Sequence, residues 1–284
     1  MELKNNTILI TGGTSGFGLE FAKKLLELGN TVIVTGRDPV KLASAKKNLA
    51  GLHTFQSDVS NPEEIAGLYE KVIGQFPQLN ILINNAGQMR KISLHDTSIG
   101  LVDITREIET NLMGPIRMVQ AFLPHLKQMK SAAILNVTSG LALVPFPIAP
   151  IYGATKSGLR SYTKSLRVQL KNTSIKVFEL VAPAAKTPLN DQFHNMDGFS
   201  VELMDPVKLI DTAIKGLQNG LVSNISGGLI KTSHLTGLFT DLGADMAEWI
   251  YVAKRSALLK KQDAHPFYHT RLLFFGRIGR RLLF

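Results

Sequence analysis

Residues Ile8, Leu9 and Ile10 run straight into Thr11-Gly12-Gly13-Thr14-Ser15-Gly16-Phe17-Gly18, and a helical pattern of apolar residues follows from Leu19 to Leu28. An apolar strand, a glycine-rich turn and a helix start in that order leave few ways for a chain to fold. Glycines let the backbone approach an anion closely, and the free N–H groups at the positive end of the helix dipole favour a phosphate. With a strand before it and a helix after it, the segment has the context of a dinucleotide-binding turn rather than of a merely flexible loop.

The same alternation continues down the chain. Strand-like runs are expected at Thr7–Ile10, Thr31–Thr35, His53–Gln56, Ile81–Ile83, Ala133–Val137 and Lys176–Val181, with helical patterns between most of them. Strands alternating with helices imply βαβ units and a parallel sheet. The runs at 81–83 and 134–137 are nearly continuous apolar residues, as expected of strands covered on both faces. The expected fold class is α/β, a doubly wound and mainly parallel sheet with helices on both faces. With 284 residues and 44% apolar content, a single large core is within reach.

Ser139 is followed thirteen positions later by Tyr152 and four beyond that by Lys156, within Tyr152-Gly-Ala-Thr-Lys156. At helical spacing the phenol and the ammonium lie one turn apart on one face. A tyrosine ionises near pH 10 in water, and a fixed positive charge nearby favours its anion, so Lys156 is expected to tune Tyr152 towards acid/base work at neutral pH. Alone, Tyr-x-x-x-Lys is more often an ordinary exposed helix face; here it has company.

Thr11-Gly12-x-x-x-Gly16-x-Gly18, Asn84-Asn85-Ala86-Gly87, Asn111, Ser139 and Tyr152-x-x-x-Lys156 resemble, in order and spacing, the short-chain dehydrogenases/reductases. The resemblance covers residues 5 to about 225. Within that family, Ile10 to Gly18, Glu27 to Asn30 and Thr138 to Ala142 are similar to bacterial oxidoreductases named for the D-alanylation operon of teichoic acids. The resemblance implies a Rossmann fold and hydride transfer between a nicotinamide and a carbonyl or secondary alcohol. It assigns Tyr152 as acid/base, Ser139 as donor to the substrate oxygen, Lys156 as tuner of Tyr152 and holder of the nicotinamide ribose, and Asn111 as anchor of a relay water. For the cofactor it implies contacts from Gly12, Thr14, Ser15, Gly16, Phe17, Gly18, Asp58, Val59, Asn85, Ala86, Gly87, Tyr152 and Lys156. Homo-oligomers are common among such relatives. Two plainer readings stand beside these roles: Asn111 as a residue satisfying backbone groups within a long helix, and Asp58 as a turn or cap aspartate before Ser60-Asn61-Pro62-Glu63.

The end of the second strand bears on cofactor choice. A carboxylate there binds ribose hydroxyls and repels a 2′-phosphate, whereas an arginine accepts that phosphate. The residues are Thr35-Gly36-Arg37, so Arg37 favours NADP(H) over NAD(H); Asp38-Pro39 reads as the start of the next helix. Ser15 stands where many NADP-preferring relatives carry a second basic residue, which makes the preference modest.

One motif departs from the family. Most relatives have Pro-Gly after the sixth strand and a threonine five residues after the proline, whereas this chain has Pro183-Ala184-Ala185-Lys186-Thr187. Without glycine, a positive φ is costly there. Pro183 carries over as a nicotinamide-face contact, and Thr187 as the carboxamide partner is put in question. The loops expected to line the substrate pocket bring Met89, Leu141, Leu143, Val144, Phe146, Phe193, Met196 and Phe199, which suits a hydrophobic carbonyl compound.

The expected organisation is one oxidoreductase domain over 1–252, with a substrate loop at about 184–205, and a C-terminal extension over 253–284. From Lys254 onward the chain has eight Lys/Arg against one acid, Asp263, so most of the formal +10 charge sits at this end. Its apolar residues alternate poorly with the basic ones on a helical wheel. The extension therefore reads first as a tail packed on the body or on a partner subunit, and second as a peripheral contact to anionic lipid. No nucleic-acid-reading motif accompanies the charge. The chain has no cysteine, which excludes disulfides and thiolate metal sites, and its histidines lack metal-ligand spacing, so no metal is expected. With no signal-like segment at the start, the expected location is the cytoplasm. Two other functions compete: a cofactor-binding scaffold with impaired catalysis, and a serine hydrolase using Ser139, which lacks a nucleophile elbow.

Overall fold

The computed structural model describes residues 2–193 and 203–219 and the backbone of Ile225–Ser226. His194, Met196, Phe199, part of the expected substrate loop and the whole 253–284 extension lie outside the described residues.

The elements alternate as the apolar patterns demand: β1 (Thr7–Thr11), α1 (Gly16–Glu27), β2 (Thr31–Gly36), α2 (Pro39–Asn48), β3 (Leu52–Gln56), α3 (Pro62–Gln75) and β4 (Leu79–Asn84). Then α4 (Leu101–Ile104), α5 (Arg106–Ile108) and a π-helical turn (Glu109–Met113) lead into α6 (Gly114–Leu126). After them come β5 (Ala132–Ser139), a 3₁₀ turn (Gly140–Ala142), α7 (Pro150–Gln169), β6 (Ile175–Ala182), a 3₁₀ turn (Asp191–Phe193), α8 (Pro206–Gln218) and β7 (Ile225–Ser226). The six strands expected from the sequence are all present, most of them extended by one or two residues beyond the apolar run. Pairing carries the strand past the point where apolar character ends: β5 and β6 stay in register from Ala132↔Ile175 to Ser139↔Ala182.

The seven strands form one sheet of order β3-β2-β1-β4-β5-β6-β7, every pair parallel. Successive strand residues face opposite sides, so each strand feeds two cores. Ile8, Ile10, Ile81, Ile83, Leu135 and Leu180 pack with α1, α2 and α8 through Phe21, Leu25, Leu42 and Leu209. Leu9, Leu82, Ile134 and Val177 pack on the other face with α3, α6 and α7 through Leu68, Met118, Phe122 and Leu166. Phe21, Phe122 and Phe178 are fully buried, and truncating one to Ala would cost about 3–5 kcal/mol. The chain order reverses direction across the sheet between β1 and β4, the place where open α/β sheets bind ligands beyond their carboxyl strand ends.

Helix starts are set by local chemistry. Asp38 caps α2, accepting from the amides of Val40 and Lys41, and Asn61 caps α3, accepting from those of Glu63 and Glu64. Pro39 and Pro62 open both helices, where the missing N–H costs nothing.

Candidate active site

The glycine turn lies directly after β1, and its shape is fixed from the neighbouring strand end. The Thr11 hydroxyl accepts from the amides of Asn85 and Ala86, both at 3.0 Å. The Asn85 side-chain amide donates to the carbonyls of Thr11 (3.0 Å) and Gly12 (3.1 Å). Gly12 has φ +66°, and a Cβ there would stand 2.8 Å from Ala86 Cα. A Cβ on Gly18 would run into the Gly12 carbonyl oxygen. Ser15, at the N-cap of α1, makes no side-chain cap, which leaves the first-turn amides to the turn's open side. This cradle fits a pyrophosphate: backbone donors at a helix start, with no side chain to hold a ligand off.

At the far end of the same strand row, Arg37 follows β2 and lies 3.7 Å from Asp58 Oδ2, both side chains reaching solvent. Asp58 is also a turn residue, because its Oδ1 accepts from the amide and hydroxyl of Ser60. The plainer reading of Asp58 therefore holds alongside its position near Arg37. Val59 is buried in the core against Gly114.

Ser139, Tyr152, Lys156 and Asn111 converge beyond the carboxyl end of β5. Ser139 closes β5; its hydroxyl accepts from the Leu141 amide (3.2 Å) and hydrogen-bonds the Tyr152 phenol. One turn along α7 from Tyr152, Lys156 Nζ lies 5.6 Å from the phenol ring centre and donates to the Val137 carbonyl at 2.9 Å. Asn111 sits in the π-helical turn, a distortion often found at functional sites. Its side chain does not serve its own helix: Oδ1 accepts from the Gln88 amide (2.9 Å), while Nδ2 donates to the Gln88 carbonyl (2.8 Å) and the Thr155 hydroxyl (3.2 Å). It thereby ties the loop after β4 to α7. Gly87 lies between, with a Cβ position 3.4 Å from Asn111 Oδ1 and 3.6 Å from Lys156 Nζ.

The electrostatics of Tyr152 and Lys156 are dominated by burial. Both are buried, and burial disfavours whichever form is charged. The Tyr152 phenol is pushed up to about 12, first by burial, partly offset by the Ser139 hydrogen bond, and raised again by the charge of Glu107. Burial brings the Lys156 ammonium down to about 8. Burial is thus the largest influence on both groups and favours the neutral form of each.

An apolar wall surrounds Tyr152. Met89, Ala149 and Phe193 are buried with it, and Leu141, Phe146, Ile148 and Leu189 pack against them. The Ile92 amide donates to the Ile148 carbonyl at 3.0 Å, and Gln192 Nε2 donates to the Met89 carbonyl, so three separate loops are stitched together here. Leu143 is half exposed and lies outside this cluster, as does Val144.

The Pro183 loop needs no glycine. Among the described residues Asn5 alone has a positive φ without being glycine, so Ala184 and Ala185 keep ordinary backbone angles. The loop is clipped to Met204 by two backbone hydrogen bonds, each of 3.0 Å, from Lys186 to the Met204 carbonyl and from Met204 to the Ala184 carbonyl. Thr187 is buried against Gly16, 3.5 Å from its Cβ position, and lines a cavity of about 460 Å³ with Lys186, Pro188, Asp191 and Leu203. The shifted threonine is therefore next to the glycine turn despite its altered spacing.

The sequence marks Gln88 only as part of a loop near the pocket, and it gives no role to Thr155 or Glu107. The first two act through backbone groups or a short hydroxyl that no motif marks. Glu107 did carry a signal: it stands four residues before Asn111, one turn back in the same helical stretch, yet it is completely buried.

The profile of the short chain dehydrogenases matches residues 6–198, and the chain belongs to that family. It is 41% identical over 220 residues to the uncharacterized oxidoreductase DltE of Bacillus subtilis (strain 168), covering 78% of this chain and 87% of that protein. Among solved structures it is similar to the 3-ketoacyl-(acyl-carrier-protein) reductase of Brucella melitensis complexed with NADH, with a TM-score of 0.71 and 27% identity over 80% of this chain and 98% of that one. The fold is likewise shared with a short chain dehydrogenase of Burkholderia cenocepacia J2315 in complex with NADP, with a TM-score of 0.73 at 23% identity, covering 87% and 98% of the two chains. The protein is thus an oxidoreductase of a family whose solved relatives carry nicotinamide cofactors. Among the described residues no helix is long and apolar enough to cross a membrane, and no cluster of His and acidic residues could hold a metal ion.

Proposed function

We propose that the protein is an NADP(H)-dependent reductase of hydrophobic carbonyl compounds, working in reverse as an alcohol dehydrogenase. The observation that carries this reading is the meeting of Ser139, Tyr152, Lys156 and Asn111 at one strand end, beside a cradle built for a pyrophosphate. When bound, the nicotinamide supplies the hydride. As negative charge grows on the substrate oxygen, Tyr152 gives up its phenolic proton to it. Ser139 donates a hydrogen bond to the same oxygen, where stabilisation is worth most to the rate. Lys156, 5.6 Å from the phenol ring, would supply positive charge beside it and hold the cofactor ribose, and its proton would restore that of Tyr152 through a water anchored by Asn111. Arg37 supports the choice of NADP(H), since its guanidinium is exposed just after β2, where a positive charge would favour a 2′-phosphate. The Met89, Leu141, Phe146 and Phe193 wall supports an apolar substrate. A homo-oligomer in the cytoplasm remains part of this reading, drawn from family resemblance and composition.

No observation favours the hydrolase alternative: Ser139 bonds to a tyrosine and a backbone amide, and the buried His125 is engaged with the Leu79 carbonyl instead. Titration of the protein with NADPH and NADH, followed by a panel of apolar ketones and aldehydes, tests the proposal. Tight NADPH binding with turnover supports it; cofactor binding without turnover of any panel member would revive the scaffold alternative.

A further inference from the structure

Arg90 and Lys91 are neighbouring cations in the loop after β4, and the fold treats them differently. Arg90 is occupied within the protein: its guanidinium donates to Asp103 Oδ2 at 2.8 Å and to the Asp103 carbonyl at 2.7 Å, and its Nε lies 3.6 Å from Glu107 Oε2. Lys91 is exposed and, among the described residues, pairs with no carboxylate. A surface lysine ordinarily extends its strongly hydrated ammonium into water. Lys91 instead carries it over the Phe193 ring, 5.6 Å from the ring centre. Phe193 belongs to the apolar wall with Tyr152, Met89 and Ala149, and its ring centre lies 6.1 Å from that of Phe146.

The position of Lys91 is set by the backbone on either side of it. Gln192 Nε2 donates to the Met89 carbonyl, the Arg90 amide donates to Glu107 Oε1 at 3.1 Å, and the Ile92 amide donates to the Ile148 carbonyl at 3.0 Å. Met89 and Ile92 are buried, so Lys91 leaves the loop at a fixed point on the rim of the wall. Gln192 precedes Phe193 in the same 3₁₀ turn, and the clip that holds Met89 therefore also holds the ring beneath the ammonium. Asp191, the acid on that turn, lines the cavity beside Lys186 and Thr187 and makes no ion pair with Lys91. An aromatic face attracts a cation without neutralising it. The rim thus holds one positive charge that no described residue compensates.

Binding sites for small molecules combine an apolar lining with a few placed polar groups that fix orientation. We propose that Lys91 is a specificity-determining residue of the substrate site: the substrate is a carbonyl compound whose apolar portion lies along the wall of Met89, Phe146 and Phe193 and which presents a carboxylate to the Lys91 ammonium. A single ammonium balances the single charge of a carboxylate, whereas a phosphate group, close to doubly charged at neutral pH, would be left half compensated. This rests on the reductase reading and narrows it from hydrophobic carbonyl compounds to amphiphilic acids. The rim charge also sets which end of the substrate enters. The carboxylate stays at the surface, and the neutral carbonyl is the group that reaches buried Tyr152, where an unpaired charge is costly.

The test uses straight-chain keto acids of increasing length, each beside its methyl ester, reduced with NADPH by the purified protein. Acid and ester share the ketone and the chain and differ chiefly in charge. At the best chain length the acid should have a kcat/KM about tenfold above that of its ester, mostly through KM, and raised salt should shrink the advantage. Lys91→Met keeps an apolar stem over the ring and removes the charge, so it should bring the acid-to-ester ratio to about one; Lys91→Arg keeps the charge and should retain most of the preference. Equal reduction of acids and esters by the wild type, or a preference that survives Lys91→Met, would overturn the proposal while leaving the reductase reading in place. A wild-type protein that reduces no keto acid, ester or neutral ketone is a different result: it sinks the reductase reading, and this inference with it.

Discussion

The two ends of the proposed cofactor site treat charge in opposite ways. At the end of β2, Arg37 and Asp58 stand 3.7 Å apart in contact with solvent. At the end of β5, Tyr152 and Lys156 are buried, and each is driven towards its neutral form. Water screens the first pair, so it is worth little to the fold and is free to answer to a ligand's phosphate. The second pair has lost its water, and its protonation is bound up with folding and with whatever else is charged nearby. The proposed function thus assigns recognition to the end where charge is screened, and proton transfer to the end where it is not.

The largest expected effect breaks the buried end. Tyr152→Phe should lower turnover by about 10²–10⁴-fold, the usual worth of a general acid, with NADPH binding nearly unchanged in the same fluorescence titration. Near wild-type turnover would remove Tyr152 from the chemistry.

Next in size is a stability effect of Lys156. Its proton affinity falls from the usual 10.5 to about 8 on folding, so between those values the unfolded chain holds a proton that the folded one does not. Stability from this group therefore rises as pH goes from about 8 to 10.5, by something on the order of 2–3 kcal/mol. Urea unfolding at a series of pH values checks this, and Lys156→Met should flatten the rise. Tyr152 works in the opposite sense at still higher pH, because its folded-state value lies above the ordinary 10.0.

The exposed end should respond more mildly. Arg37→Ala is expected to weaken NADPH binding by about tenfold, or about 1.4 kcal/mol, and NADH binding much less. Equal losses for both cofactors would deny Arg37 its phosphate. The smallest effect completes the contrast: the same substitution should leave stability within about 0.5 kcal/mol of wild type, since surface ion pairs contribute little.

Much of this molecule is legible in its sequence because the relevant signals are local. Ile8 to Gly18 spells strand, turn and helix without help from elsewhere, and Asp38-Pro39 and Asn61-Pro62 announce the starts of α2 and α3. The offsets from Ser139 to Tyr152 and Lys156 likewise survive folding intact, since one strand end and one helix hold them. The Pro183 segment shows where local reasoning falls short. The absence of glycine made a positive φ costly there, and the backbone takes a route that needs none, with Met204 pairing across it. The partner for that pairing is some twenty residues away and cannot be read from the loop itself.

What the sequence alone determined was the order of elements and the family, and it named the groups proposed to react, because periodicity, turn chemistry and motif spacing are properties of neighbouring residues. Tertiary structure alone decided the electrical state of those groups. Whether Lys156 lowers the proton affinity of Tyr152, or burial raises it, depends on how much water the packed loops exclude. Whether Glu107 is a surface acid or a buried carboxylate facing Arg90 depends on how α5 meets the loop after β4. Desolvation is a sum over everything that surrounds a group, and the surroundings of Tyr152 come from five separate stretches of the chain.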